Sequence, residues 1–201
     1  MIDFQQNYIL ENEKIILRPL VDNDYDELLV FSINEPEIWK FNAFGANGEE
    51  NLKKYLESAI SGRKNKTEYP FVVYDKIENK IIGSTRFYAI NLQYNTLELG
   101  FTWYGKKYQG TYVNKICKYL LLELAFEKLN FERVGFKANN INERSVNAMK
   151  SIGCKSEGIL RNFALDSENN RIDVVVLSIL KNEWFDSVKL NLQNKIKYAC
   201  S

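Results

Sequence analysis

The sequence predicts a mixed α/β domain with mostly antiparallel strands, in the order β-α-α-β-β-β-α-β-α-β-β. Three observations predict it. Segments of alternating apolar residues are interleaved with segments that repeat every 3.6 residues, the turns between them are short and polar, and no internal repeat or linker interrupts the chain. With 201 residues a sizeable core can be buried. Residues 1–201 are therefore expected to form a single domain, with a core over about 13–184 and an amphipathic extension at 185–201.

Residues 15–20 (IILRPL) read as a first strand stopped by its own proline, with Asp22 placed to cap a helix over 22–34 that ends before Pro36. The loop that follows is rich in aromatics, and Trp39, Phe41 and Phe44 are expected to pack inside. A second helix over 49–61 puts Leu52, Tyr55, Leu56, Ala59 and Ile60 on one stripe. Strands at 71–75, 81–88 and 96–103 then form an antiparallel meander. In the third of these, period-two alternation places Leu97, Leu99, Phe101 and Trp103 on one face and Glu98, Gly100 and Thr102 on the other.

After a short basic loop, Gln109, Gly110, Thr111, Tyr112, Val113 and Asn114 lead into a long apolar helix that runs to Leu129. The first turn of a helix carries N–H groups without intrahelical partners and the positive end of the dipole, a geometry that suits a phosphate or pyrophosphate. Residues 133–138 read as a short strand, NNINERSVNAMKSIG as a helix closed by Gly153, and 158–165 with 171–180 as a hairpin around DSENN. The amphipathic stretch over 182–198 is expected to pack on the outside or fray.

Composition narrows the function classes. Lys plus Arg number 27 against 26 Asp plus Glu, so the net charge of +1 leaves no electrostatic footprint for nucleic acid, and no membrane partner is expected because no stretch approaches roughly 18 apolar residues. Histidine is absent, which removes Ser/His and Cys/His nucleophile schemes and the commonest zinc ligand. Cys117, Cys154 and Cys200 are too widely spaced for a metal cluster and read as reduced thiols of a cytoplasmic protein without a signal peptide. Cys117 sits inside the apolar helix and reads as packing. No metal is expected, and general-base work falls to a carboxylate or water.

Two constellations remain. Glu98 is one carboxylate on a face otherwise made of small residues. In the helix after 139, spacing places Asn142, Ser145, Met149 and Ile152 on one stripe, so an amide and a hydroxyl face inward and need partners. Asn139, Asn140 or Asn142 would serve as the cap, with Glu143 completing a capping box if Asn140 is used. Capping accounts for one asparagine and leaves Ser145 unexplained.

With the motifs ELGFTW, YQGTYVN, FKANNINERSVNAMKSIGC and EGILRNF in this order, the chain resembles the GCN5-related N-acetyltransferases (GNAT), and within them the RimJ/RimL-like branch of ribosomal-protein N-terminal acetyltransferases. The resemblance spans about residues 13–184. It implies a central, mostly antiparallel sheet with helices on both faces, and acetyl-CoA as co-substrate, lying in a V-shaped gap between the strand of Glu98 and the strand at 133–138. Pantetheine would run along the backbone of Phe101, Thr102 and Trp103, where a strand N–H near Phe101 or Thr102 would hold the oxyanion, and the pyrophosphate would rest on Gln109, Gly110, Thr111, Tyr112, Val113 and Asn114. Asn142 matches a coenzyme-contacting asparagine, and Ser145 the position proposed to stabilise or protonate the leaving thiolate.

The sequence departs from the family pattern of Gln or Arg, two residues, Gly, one residue, then Gly or Ala. Gln109 fits, while Tyr112 and Asn114 occupy the small positions and Tyr112 stands where bulk would crowd a pyrophosphate. Met149 stands where many relatives carry a tyrosine acid, which leaves Ser145 or water as proton donor. Glu98, directly or through water, is the expected base for an amine acceptor, either a protein N-terminus or a small molecule such as an aminoglycoside, polyamine or amino sugar. A catalytically silent CoA-sensing or peptide-binding module of the same fold is the other reading. Oligomeric state is open, a homodimer included.

Overall fold

The alternating segments pair as one eight-stranded sheet in the order β1-β2-β3-β4-β5-β6-β8-β7. Its strands are β1 (Leu10–Glu11), β2 (Ile15–Pro19), β3 (Tyr69–Asp75), β4 (Lys80–Asn91), β5 (Thr96–Tyr104), β6 (Arg133–Asn139), β7 (Lys155–Leu165) and β8 (Arg171–Leu180). The structure is a computed structural model that describes residues 1–41, 45–166 and 169–200. Phe44 and part of the DSENN turn lie outside them. Every neighbouring pair of strands is antiparallel except β5 and β6. The expected order of elements is found, with the two-residue β1 added at one edge.

Alternation along β3 sends Phe71 and Val73 into one core and Val72 into the other. On the second side α1 (Tyr25–Asn34) and α2 (Glu49–Lys64) cover the sheet with Leu28, Phe31, Leu52, Tyr55, Leu56 and Ala59. The larger core lies under α3 (Val113–Glu123), whose Val113, Ile116, Cys117, Leu120 and Leu121 are buried there, and under Met149 and Ile152 of and beside α4 (Glu143–Ser151). A π-helical turn at Leu124–Lys128 continues α3. Among the described residues no helix is long and apolar enough to cross a membrane.

Three local expectations are corrected. Residues 22–24 form a 3-10 turn, and the carboxylate that organises it belongs to Asp24, which accepts from Val21 N at 2.9 Å and from both Arg18 Nη atoms. The C-terminal stretch does not fray. It forms α5 (Lys181–Glu183), a π-helical turn (Trp184–Val188) and α6 (Lys189–Cys200), with Trp184 fully buried between Tyr119 and Phe126. Trp184, Val188 and Leu192 recur at four-residue spacing, and that stripe docks on α3 as part of the main core.

The third correction positions the functional site. Between Arg86↔Gly100 and Ser84↔Trp103, β5 spends one residue more than β4, and Phe101 takes a φ of 50°. This is a β-bulge, and it inverts the alternation downstream. Leu97 and Leu99 face the α3 core as expected, but Trp103 faces the α1/α2 core, 4.6 Å from the Trp39 ring, and Phe101 packs edge-on to Tyr88 at 5.0 Å. Thr102 and Tyr104 turn to the α3 side instead.

Candidate active site

Parallel pairing of β5 with β6 covers only Thr96↔Arg133, Leu97↔Val134 and Glu98↔Gly135. Beyond that point β6 stays bound to β8 as far as Asn139↔Val174, and β5 stays bound to β4. The two strands therefore diverge. A cavity of about 450 Å³ fills the divergence, walled by residues 99–104 of β5, residues 136–139 of β6, the start of α3 and one face of α4.

Helix geometry decides which residues of the 109–114 segment meet this cavity. Thr111, Asn114, Lys115 and Lys118 line it, at i, i+3, i+4 and i+7. Tyr112 and Val113, whose backbone is expected to carry the pyrophosphate, turn their side chains to the opposite side. Val113 is buried in the core, and the Tyr112 ring packs against that core with the Lys14 ammonium 4.6 Å from its centroid. Tyr112 thus leaves the loop mouth open. Gly110 has a φ of 77°, a conformation that glycine adopts without strain, and nothing lies within 4 Å of where a Cβ would be. The N–H groups of Gly110, Thr111, Asn114 and Lys115 find no acceptor among the described residues. Gln109 braces the turn: its Nε2 donates to Tyr104 O at 2.9 Å and its Oε1 accepts from Arg144 of α4, across the mouth of the cavity.

On α4, Asn142, Ser145, Met149 and Ile152 all line the cavity. Asn142 is itself the cap, accepting from Ser145 N at 3.1 Å, which decides among the three asparagines. Its amide nitrogen and the Ser145 hydroxyl make no hydrogen bond among the described residues. Phe101, Thr102 and Trp103 form the opposite wall. The Trp103 ring is held in the aromatic cluster, so what that residue presents to the gap is its backbone. Of the aromatic loop, Trp39 is buried as expected, while Phe41 is 40% exposed and lines the cavity mouth.

Glu98 lies beside the cavity, at the last position of β5 that pairs with β6. Its Oε1 accepts from Lys137 Nζ at 2.6 Å, and its Oε2 is buried. Tyr88 faces it. Burial, and then the negative charge of Glu98, raise the Tyr88 hydroxyl far above the usual phenol range. Beneath the bulge, Arg86 is sandwiched between the Tyr55 and Phe101 rings at 4.7 and 4.3 Å and paired with Glu68 at 2.6 Å, which holds the bulge ring in place.

Lys115, Lys118, Lys137 and Arg144 are the charged residues of the cavity wall, and among the described residues no Asp or Glu lines it. Lys118 is the most unusual. It is 5% exposed, and its ammonium donates to Thr102 Oγ1 at 2.7 Å without a carboxylate partner. Burial depresses its pKa to about 8. Four cations around a gap with unpartnered N–H groups make a site for a polyanion.

The acetyltransferase (GNAT) domain family matches residues 14–155. The chain belongs to that family. A solved structure provisionally named an acetyltransferase is 31% identical, with a TM-score of 0.85 over 98% of this chain and 96% of its own. Another, from T. thermophilus and likewise provisionally named, is 32% identical with a TM-score of 0.83 over 93% and 96%. Among curated relatives, YdaF of Bacillus subtilis (strain 168), provisionally named a ribosomal N-acetyltransferase, is 27% identical over 86% of this chain and 94% of its own.

As a GNAT N-acetyltransferase the protein uses acetyl-CoA to acetylate an amine. Its own residues fit that donor: the cationic wall and the free N–H groups before α3 match the phosphates, and the parted strands leave room for the arm. Cys117 is fully buried, and burial pushes its thiol up to about 12, which fits packing and not nucleophilic work. Sequence reasoning missed Lys118, Arg144 and Lys137. The signal for Lys118 was present, a lysine in the middle of a helix apolar nearly all round; Arg144 and Lys137 carried no local signal.

Proposed function

We propose that the protein acetylates a primary amine by direct transfer in a ternary complex, and that the amine is a protein N-terminus. One observation carries the reading: β5 and β6 part immediately after Glu98↔Gly135, beside a cavity whose charged lining is entirely cationic among the described residues. Gln109, Gly110, Thr111, Asn114 and Arg144 would hold the phosphates, Asn142 and the Phe101–Trp103 backbone the arm, and the bound coenzyme would supply an acetyl thioester. Glu98, beside the point where the strands part, takes a proton from the acceptor ammonium, directly or through water. Ser145, with its hydroxyl uncommitted, gives a proton to the departing sulfur; Met149 has none to give.

The lining also bears on the acceptor. A polyamine or aminoglycoside carries several positive charges and needs acidic residues around it, whereas the gap beside Glu98 is lined by Lys137. A peptide N-terminus brings one positive charge, which Glu98 can meet. The name of YdaF agrees with this choice. The test is acetyl-CoA turnover across N-terminal peptides, spermidine and an aminoglycoside. Turnover on at least one peptide and none on the polycations is expected; the reverse would replace the acceptor, and binding of acetyl-CoA without turnover on any amine would leave a coenzyme-sensing module.

A further inference from the structure

Lys137 projects from β6 on the same face as Glu98, where it is 2.6 Å from the Glu98 carboxylate, lines the cavity, and has its ammonium 5.5 Å from the centre of the Phe163 ring. It is a primary amine held by the group assigned as base, at the point where the strands part. A carboxylate at hydrogen-bond distance and a place in the cavity wall are therefore already supplied to one of the protein's own side chains. We propose that Lys137 is a self-acetylation site, modified within the same molecule when acetyl-CoA is bound and no external amine occupies the gap.

The proposal rests on the acetyl-CoA reading above. Glu98 takes one proton from the Lys137 ammonium and releases it to solvent. The freed nitrogen attacks the acetyl carbonyl, a C–N bond forms, the C–S bond breaks, and the sulfur leaves with its electron pair and receives the second proton lost by the nitrogen. The products are N-acetyl-Lys137 and free CoA. The amide carries no charge, so the ion pair with Glu98 is lost and an acetamide group stands in the acceptor side of the gap.

Lys155 provides the internal comparison. Its ammonium also lies 2.6 Å from a carboxylate, that of Glu183, and it is more exposed than Lys137, but it does not line the cavity. Carboxylate proximity does not distinguish the two and exposure alone would favour Lys155, whereas delivery within the gap favours Lys137.

The experiment incubates the full-length protein with acetyl-CoA and no acceptor, then measures intact mass and maps acetylated peptides over time. Expected is one acetyl group at Lys137, at a rate independent of protein concentration, absent in Lys137→Arg and slowed at least tenfold in Glu98→Gln, with both variants checked for folding by circular dichroism. Acetylation that follows exposure, with Lys155 ahead of Lys137, or that is indifferent to Glu98→Gln, overturns the proposal. Calorimetry with acetyl-CoA and turnover on a peptide are run in parallel. Binding and turnover with Lys137 unmodified would remove the self-acetylation alone, whereas absence of acetyl-CoA binding would remove it together with the functional reading.

Discussion

The Lys118 ammonium donates to the Thr102 hydroxyl at 2.7 Å, and Thr102 is the first residue after the Phe101 bulge to face α3. The same hydroxyl is 2.7 Å from Thr85 Oγ1, so a polar node ties β4, β5 and α3 together on the cavity side. No carboxylate neutralises this cation among the described residues. Burial lowers its pKa to about 8, so the free protein carries it charged below that pH and neutral above. Cys117 and Cys154, the nearby thiols, are both pushed up to about 12 and stay protonated across this range.

Binding of an anionic coenzyme favours the charged form. Acetyl-CoA affinity is therefore expected to be full below about pH 8 and to fall as pH rises above it, by at most roughly tenfold per pH unit, because binding must then take up a proton. Lys118→Met should weaken binding at neutral pH and flatten the slope. Titration calorimetry in buffers of different ionisation heat measures both; a wild-type affinity level from pH 7 to about 10 would refute the role.

Glu98 stands beside the coenzyme cavity and not in its wall, which separates chemistry from donor binding. Glu98→Gln is expected to lower kcat roughly 10²- to 10⁴-fold with acetyl-CoA affinity changed by about twofold or less. Gly135→Ala should act in the same direction more mildly, since a Cβ at that position would lie 3.2 Å from Glu98 Cγ and push the carboxylate aside. Steady-state kinetics with direct binding measurements check this, and a loss of affinity equal to the loss of kcat would contradict it.

Asn142 and Ser145 are adjacent in space but are expected to fail differently. Asn142→Ala removes the cap of α4 and should cost about 1 kcal/mol of stability as well as coenzyme affinity. Ser145→Ala removes a hydroxyl with no partner among the described residues, so the melting temperature should hold while kcat drops. Thermal melts beside kinetics separate the two; equal destabilisation by both would argue that Ser145 is structural.

Trp184 ties the C-terminal helices to α3. Trp184→Ala is expected to destabilise the protein by about 3–5 kcal/mol, since the indole is wholly buried and its Nε1 donates to Glu127 at 2.8 Å. Urea unfolding measures the change. A cost below about 1 kcal/mol would show that the extension is dispensable.

Much of this was legible in the chain itself. The α4 stripe Asn142, Ser145, Met149 and Ile152 follows from helical period, and all four residues reach the cavity, because a regular helix carries local spacing directly into space. The β5 alternation failed at Phe101 because a bulge is a property of two paired strands: the extra residue exists only relative to β4, and no single-strand pattern can reveal it. Tyr112 was placed at the pyrophosphate because it sits in the loop, yet it belongs to the core side of α3, a choice made by packing against Lys14 and the strands beneath.

The sequence by itself determined the order of elements and the family, and with no histidine in the chain it left Glu98 as the candidate base. The parting of β5 and β6 was expected from the family resemblance; tertiary structure alone decided where their pairing stops, that Lys118 lines the separation, and that Lys137 meets Glu98 from a strand 39 positions away in sequence. Those outcomes depend on pairing and burial between distant segments, where hydrogen bonding to β4 and β8 competes with pairing across the gap. Local composition carries no record of which pairing wins.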